Sequence, residues 1–181
     1  MYRKLTAFLL FLALLLAVFA GSGALAGSSV PLSIAAYTLE GEVFDSSVLK
    51  NYDLVVLNLW AEWCYPCRSE MPDLDHLNKN YPNVLVIGVY VDSNYAAAQQ
   101  AAAGLEYPMI RSFSGIAEYI TFSDGYYGIP QTMFFDRNGM QLEDTWVGST
   151  NYSEFAAYTE YLLAKYVTEK PDPEPEPEPD P

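Results

Sequence analysis

The 181 residues hold two cysteines, Cys64 and Cys67, and they stand three apart in Trp63-Cys64-Tyr65-Pro66-Cys67. Two thiols at that separation can close reversibly to a disulfide, one attacking as a thiolate and the other resolving the mixed intermediate. Cys64 falls where an apolar run gives way to helical spacing. A helix start offers unpaired amide donors and the positive end of the helix dipole, and both favour a thiolate over a thiol. Cys64 is therefore expected to be the more exposed, the lower in pKa and the nucleophile. Cys67, one turn inside the helix, is the resolving thiol. Pro66 suits the first helical turn, where its missing N–H costs nothing. A structural zinc site wants four Cys or His ligands. His76, the one histidine, lies too far along the helix, so no metal is assigned and His76 reads as a surface or packing residue. A purely structural bridge across two residues closes too small a loop to stabilise much. No cofactor is expected beyond the redox-active Cys64–Cys67 pair itself.

The elements that must position this pair follow from hydrophobic patterning. Leu54 to Trp60 (LVVLNLW) is apolar at nearly every position, as in a strand buried on both faces. Cys67 to Asn80 has Met71, Leu74 and Leu77 at helical spacing, with Pro72 expected to kink the helix. Asn83 to Val91 is a second buried strand. Asn94 to Gly104, rich in Ala and Gln and closed by glycine, reads as a helix. A short strand is expected over Tyr107–Ile110 and a helix over Ser112–Phe122. Gln131–Asp136, the Asn138-Gly139 turn and Met140–Val147 read as a β-hairpin, and Ser153–Val167 as a closing helix. Together these predict an α/β architecture with a central mixed β-sheet flanked by helices.

Several motifs carry a family resemblance. Val55–Pro72, VVLNLWAEWCYPCRSEMP, resembles the thioredoxin superfamily, and within it the exported TlpA/ResA-like thiol–disulfide oxidoreductases. Trp60-Ala61-x-Trp63-Cys64-x-Pro66-Cys67 is shared with thioredoxins generally. Asn58 stands where thioredoxin carries a buried aspartate, and Arg68-x-Glu70-x-Pro72 and Gly128-Ile129-Pro130-Gln131-Thr132 through Asp136 and Gly139 match the TlpA/ResA branch. The resemblance spans roughly residues 31–167 and is loose over Val30–Lys50.

The resemblance implies a thioredoxin-like fold and assigns roles. Pro130 is the family's cis-proline, facing the cysteines across a gap. It leaves the carbonyl and amide of Ile129 free to pair with an incoming strand, a short β-augmentation. Trp63, Tyr65 and Pro66 on the cysteine side, with Ile129 and Pro130 opposite, are assigned to substrate binding. Glu70, on the helical face of Cys67, is assigned to catalysis as the carrier of the proton Cys67 must lose. Asn58 removes thioredoxin's buried base and raises the burden on Glu70 or water. Arg68 reads as solvated, and Glu62 has no assigned role. Tyr126 and Tyr127, just before Pro130, stand where they would border a substrate groove.

Composition narrows partners and compartment. The formal charge is −14, from 23 acids and 9 bases, which argues against nucleic acid and anionic surfaces, since phosphate affinity rests on clustered Lys and Arg. Arg3 and Lys4, the apolar run Leu5–Ala20 and Ala24-Leu25-Ala26 have the form of a signal peptide over residues 1–26, or else an N-terminal anchor. A thioredoxin-like domain is expected over 27–167. Residues 168–181, ending PDPEPEPEPDP, alternate proline with acid and should form a disordered tail, since proline removes donors and like charges repel. The expected activity is a protein-disulfide reductase at the periplasmic or extracytoplasmic face. The resemblance suggests substrates such as apocytochrome c and a membrane thiol electron donor of the CcdA/DsbD kind. A disulfide-forming oxidant lacks support from Tyr65-Pro66, which supplies no histidine to stabilise the thiolate. A non-catalytic peptide- or metal-binding module is the remaining alternative. Oligomeric state is open, with a monomer expected.

Overall fold

A computed structural model describes residues 30–121 and 128–167. Five strands form a mixed sheet in the order β5-β4-β3-β6-β7. These are β3 (Leu54–Trp60), β4 (Val84–Tyr90), β5 (Met109–Arg111), β6 (Gln131–Asp136) and β7 (Trp146–Val147). β3 runs parallel to β4 and antiparallel to β6. A two-stranded antiparallel ribbon, β1 (Ala35–Tyr37) with β2 (Val43–Asp45), lies ahead of it. The α-helices among the described residues are α1 (Tyr65–Asn80), α2 (Tyr95–Ala101) and α3 (Tyr152–Tyr166).

Every residue of β3 and of β4 is buried, because the sheet is covered on both sides. Successive side chains alternate, so Leu54, Val56 and Trp60 join a core with Met71, Leu74 and Leu77 of α1 and Phe155 and Leu162 of α3. Val55, Leu57 and Leu59 pack on the other face with Leu32, Ile34, Leu49, Phe113 and Ile116. The same alternation sends Asn58 to the α1 face. On β6 it sends Thr132 to that face and Gln131 to the other. Helices therefore cover one face; among the described residues the second is covered by the ribbon region and two 3-10 turns, Ser46–Asn51 and Ser114–Glu118.

The mixed sheet of a thioredoxin-like α/β fold is present, with local corrections. The helix expected over Ser112–Phe122 is only the 3-10 turn Ser114–Glu118 as far as the described residues reach. Phe113, Ile116 and Tyr119 are all buried, and their spacing of three, which an α-helix face would also show, here matches the three residues per turn of a 3-10 helix. The hairpin's second strand shrinks to Trp146–Val147 plus a bridge between Gln141 and Phe135. The chain leaves the ladder between them, where Thr145 donates to the Tyr119 carbonyl. The turn itself is set by Asp136, whose Oδ1 accepts from the amides of Asn138 and Met140, and by Gly139 at φ 81°. α1 starts at Tyr65, two residues before the expected start, and runs through Pro72 without interruption. The Ala/Gln-rich helix is shorter than expected, ending at Ala101, and the short strand begins at Met109 instead of Tyr107. The β1–β2 ribbon has no counterpart in the patterning, since three-residue strands are too short to show a period.

Candidate active site

The site lies where β3 passes into α1. Cys64 is the N-cap of α1, in extended conformation, and its Sγ accepts from the Cys67 amide at 3.2 Å. Sulfur thus occupies the place that a Ser or Asp side chain takes at other helix starts. Cys64 and Cys67 form a disulfide with Cα atoms 5.3 Å apart. Cys64 is the more exposed of the two, as expected, but by little: it is 4% exposed against 0% for Cys67. Its neighbours are the open ones, Trp63 at 64% and Tyr65 at 78%, so an aromatic pair brackets a nearly covered sulfur. The Trp63 indole donates to Asp92 at 2.8 Å, which fixes its ring.

Facing the disulfide is the start of β6. The Ile129–Pro130 bond is cis, and the Ile129 carbonyl oxygen lies 3.6 Å from Cys64 Sγ. Pro130 is buried and its carbonyl accepts from the Gly148 amide at 2.9 Å. The Ile129 amide has no partner among the described residues. One polar backbone edge therefore stands open beside the sulfur.

Beneath the disulfide lies a buried carboxyl. Glu70 is 1% exposed, and one turn along α1 from Cys67 on the same face. Asn58 Nδ2 donates to its Oε1 at 2.9 Å and the Thr150 amide to its Oε2 at 3.0 Å. Asn58 Nδ2 also donates to Thr132 Oγ1 at 3.0 Å, so one amide joins β3, α1 and β6. Burial pushes the Glu70 carboxyl up from 4.5 to about 7, outweighing the two donors, which favour the ionised form. A group poised there can take a proton from a thiol near neutral pH and return it. Arg68 Nη1 donates to the Glu62 carbonyl at 3.5 Å. His76 is exposed and stacks on Tyr152 with ring centroids 4.2 Å apart. Glu62 accepts from the Tyr90 hydroxyl at 2.7 Å. Tyr126 and Tyr127 lie outside the described residues.

The model of the AhpC/TSA family matches residues 27–140, more than half of the chain. The chain belongs to the AhpC/TSA family. Like other proteins related to it, this AhpC/TSA chain is similar to the thioredoxin-like protein YneN of Bacillus subtilis, 35% identical over 107 residues, which cover 55% of this chain and 59% of YneN. It is 30% identical to the thiol:disulfide interchange protein DsbE of Vibrio cholerae over 129 residues, 71% of this chain and 68% of that one. The chain spans about three fifths of the length of the first curated relatives, YneN and two DsbE proteins. Among solved structures, a thiol:disulfide interchange protein of the thioredoxin family from Chlorobium tepidum superposes with a TM-score of 0.64 at 26% identity, covering 75% of this chain and 99% of that one.

The structure brings Trp63, Cys64, Tyr65, Pro66, Cys67, Glu70, Ile129 and Pro130 to one end of the sheet of this AhpC/TSA protein. Sequence reasoning had not seen the partners that hold them. Asn58 was noted only for what it replaces, and Thr132, Thr150 and Gln131 were not singled out. A signal existed: Asn58, Gln131 and Thr132 are polar positions inside otherwise apolar strands, and buried polar groups are kept where they have partners.

Proposed function

We propose that this protein is a thiol–disulfide oxidoreductase that reduces disulfides of exported proteins. The observation that carries the reading is the Cys64–Cys67 disulfide at the α1 N-terminus with the open Ile129 edge beside it. In the reduced form the Cys64 thiolate attacks a substrate disulfide. A mixed disulfide forms, and the first substrate sulfur leaves as a thiolate. Cys67 gives its proton to Glu70 and attacks Cys64 Sγ, which re-forms the Cys64–Cys67 bond and releases the second substrate thiolate. Two electrons pass to the substrate, and a thiol donor restores the dithiol.

The reducing direction is supported by how little holds a Cys64 thiolate. It has the Cys67 amide and the helix terminus, while Arg68 is turned to a backbone carbonyl. Strong oxidants owe their potential to a well-stabilised reduced form, and no described cation supplies that here. The signal-like segment over residues 1–26 supports action outside the cytoplasm. Within this reading the substrates include disulfides such as those of apocytochrome c, and the electron donor is a membrane dithiol protein of the CcdA/DsbD kind. The domain limits 27–167 belong to the same proposal.

The test is reduction of a disulfide-bonded peptide with dithiothreitol as electron source. Wild type should accelerate it and Cys64→Ser should not. Cys67→Ser should accumulate a mixed disulfide with the peptide, detectable by mass. Turnover that survives in Cys64→Ser would overturn the proposal.

A further inference from the structure

Gln131 is the first residue of β6 and follows Pro130 directly. Its side chain points to the face opposite α1 and is fully buried, where an amide is costly unless paired. It is paired three times. Oε1 accepts from the Thr121 amide at 2.9 Å, and Nε2 donates to the carbonyls of Thr121 and Gly128, both at 2.9 Å. The amide thus behaves as one more peptide unit, meeting both polar groups of Thr121.

The bond to Gly128 bears on the site. The Gly128 carbonyl and the Ile129 amide belong to one planar peptide unit, so they point in opposite directions and turn together. Gly128 is exposed, and an added Cβ there would meet nothing within 4 Å. A glycine so placed has wide φ/ψ freedom, and without a hold on its carbonyl the peptide plane would be free to rotate. On the other side Pro130 is pinned through its carbonyl to Gly148. Holding the Gly128 carbonyl therefore aims the Ile129 N–H.

We infer that Gln131 is a positioning residue for substrate: by gripping the Gly128 carbonyl it presents the Ile129 N–H to an extended polypeptide docking beside Cys64. This rests on the oxidoreductase reading above and deepens it. The substrate class that benefits is a disulfide carried on an extended peptide, whose backbone carbonyl accepts from Ile129. A disulfide without a peptide backbone gains nothing from that donor.

The test compares wild type, Gln131→Met and Gln131→Glu on two substrates, a disulfide-bonded peptide and cystamine, together with the Cys64–Cys67 reduction potential. Methionine keeps the length and loses all three bonds. Glutamate keeps the acceptor for Thr121 and loses the donor to Gly128, so it carries the test if the methionine variant does not fold. The expected result is a KM for the peptide raised about tenfold, the weight of one hydrogen bond to a docked strand, with its kcat, the cystamine rate and the potential unchanged. An unchanged peptide KM in a folded variant, or a cystamine rate that falls in step with the peptide rate, would overturn the role of Gln131. A wild-type protein that reduces neither substrate would instead refute the oxidoreductase reading on which the role rests.

Discussion

Replacing Glu70 by glutamine removes one titrating proton while nearly preserving shape, and the structure sets the size of the effect. Burial raises this carboxyl from 4.5 to about 7. Between those two values the folded protein holds a proton that the unfolded chain has released. An acid with a raised folded pKa makes stability fall as pH rises, since the native state binds more protons than the unfolded one. Each unit of difference is worth about 1.36 kcal/mol, so wild type should lose about 3 kcal/mol through this side chain between about pH 4 and about pH 8. Asp75 and Asp92, held below the usual carboxylate range, act at lower pH and with the opposite sign, and they are common to both proteins. Glutamine can be accommodated. Its oxygen keeps the Thr150 amide, and its NH2 meets Asn58, whose Oδ1 is buried without a partner among the described residues. Rotating the Asn58 amide by half a turn presents that oxygen, and Thr132 Oγ1 then donates where it had accepted. The assay is urea unfolding of both oxidised proteins across that pH range. Wild-type stability should drop by about 3 kcal/mol relative to Glu70→Gln, fully developed above the folded pKa. Parallel pH curves, or a wild type that gains on the variant as pH rises, would refute the account of Glu70 as a buried, raised carboxyl.

The same substitution should slow attack by Cys67 about a hundredfold, the usual weight of a lost general base, seen as a longer-lived mixed disulfide in quenched-flow alkylation; an unchanged lifetime would remove Glu70 from the chemistry. Equilibration of the Cys64–Cys67 pair in graded thiol buffers should give a reduction potential of about −270 mV or lower, and a value of about −120 mV would indicate an oxidant instead. Gly139→Ala should cost about 2 kcal/mol or more in urea unfolding, because φ is 81° and the new Cβ would sit 2.8 Å from the Leu32 carbonyl oxygen and 2.9 Å from its nitrogen, both backbone. A loss below about 0.5 kcal/mol, the range of an ordinary surface change, would count against a rigid close approach there.

What could be read from the residues was whatever repeats along the chain. The spacing of Leu54–Trp60 and of Met71, Leu74 and Leu77 is a local signal, and it located β3, α1 and the cysteines at their junction. The short ribbon β1–β2 carries no period, and Phe113, Ile116 and Tyr119 have a spacing that serves a 3-10 turn as well as an α-helix. Cys64 is the more exposed cysteine, as its place at the helix start implies, but how little of it is open has a non-local cause. A helix start is exposed by default, and here the Ile129 carbonyl, 65 residues away, comes within 3.6 Å of the sulfur.

The chemistry follows the same division. Cys64 and Cys67 are neighbours in sequence, so their partnership was legible; Asn58 and Glu70 are twelve residues apart, and Asn58 and Thr132 seventy-four. Once β3 and β6 pair in register, Asn58 stands opposite Thr132, and alternation puts both on the side where α1 lays Glu70. On the other side of the same strand Gln131 meets Thr121 and Gly128. On the proposed mechanism two adjacent residues of β6 would serve the two halves of the reaction: Thr132, through Asn58, the proton that Cys67 must lose, and Gln131, through Gly128, the donor that orients the substrate. If that division holds, a change at Thr132 should move the pH dependence and leave peptide KM alone, and a change at Gln131 should do the reverse. Variants at both positions that alter the same parameter would mean that the β6 start acts as one rigid block.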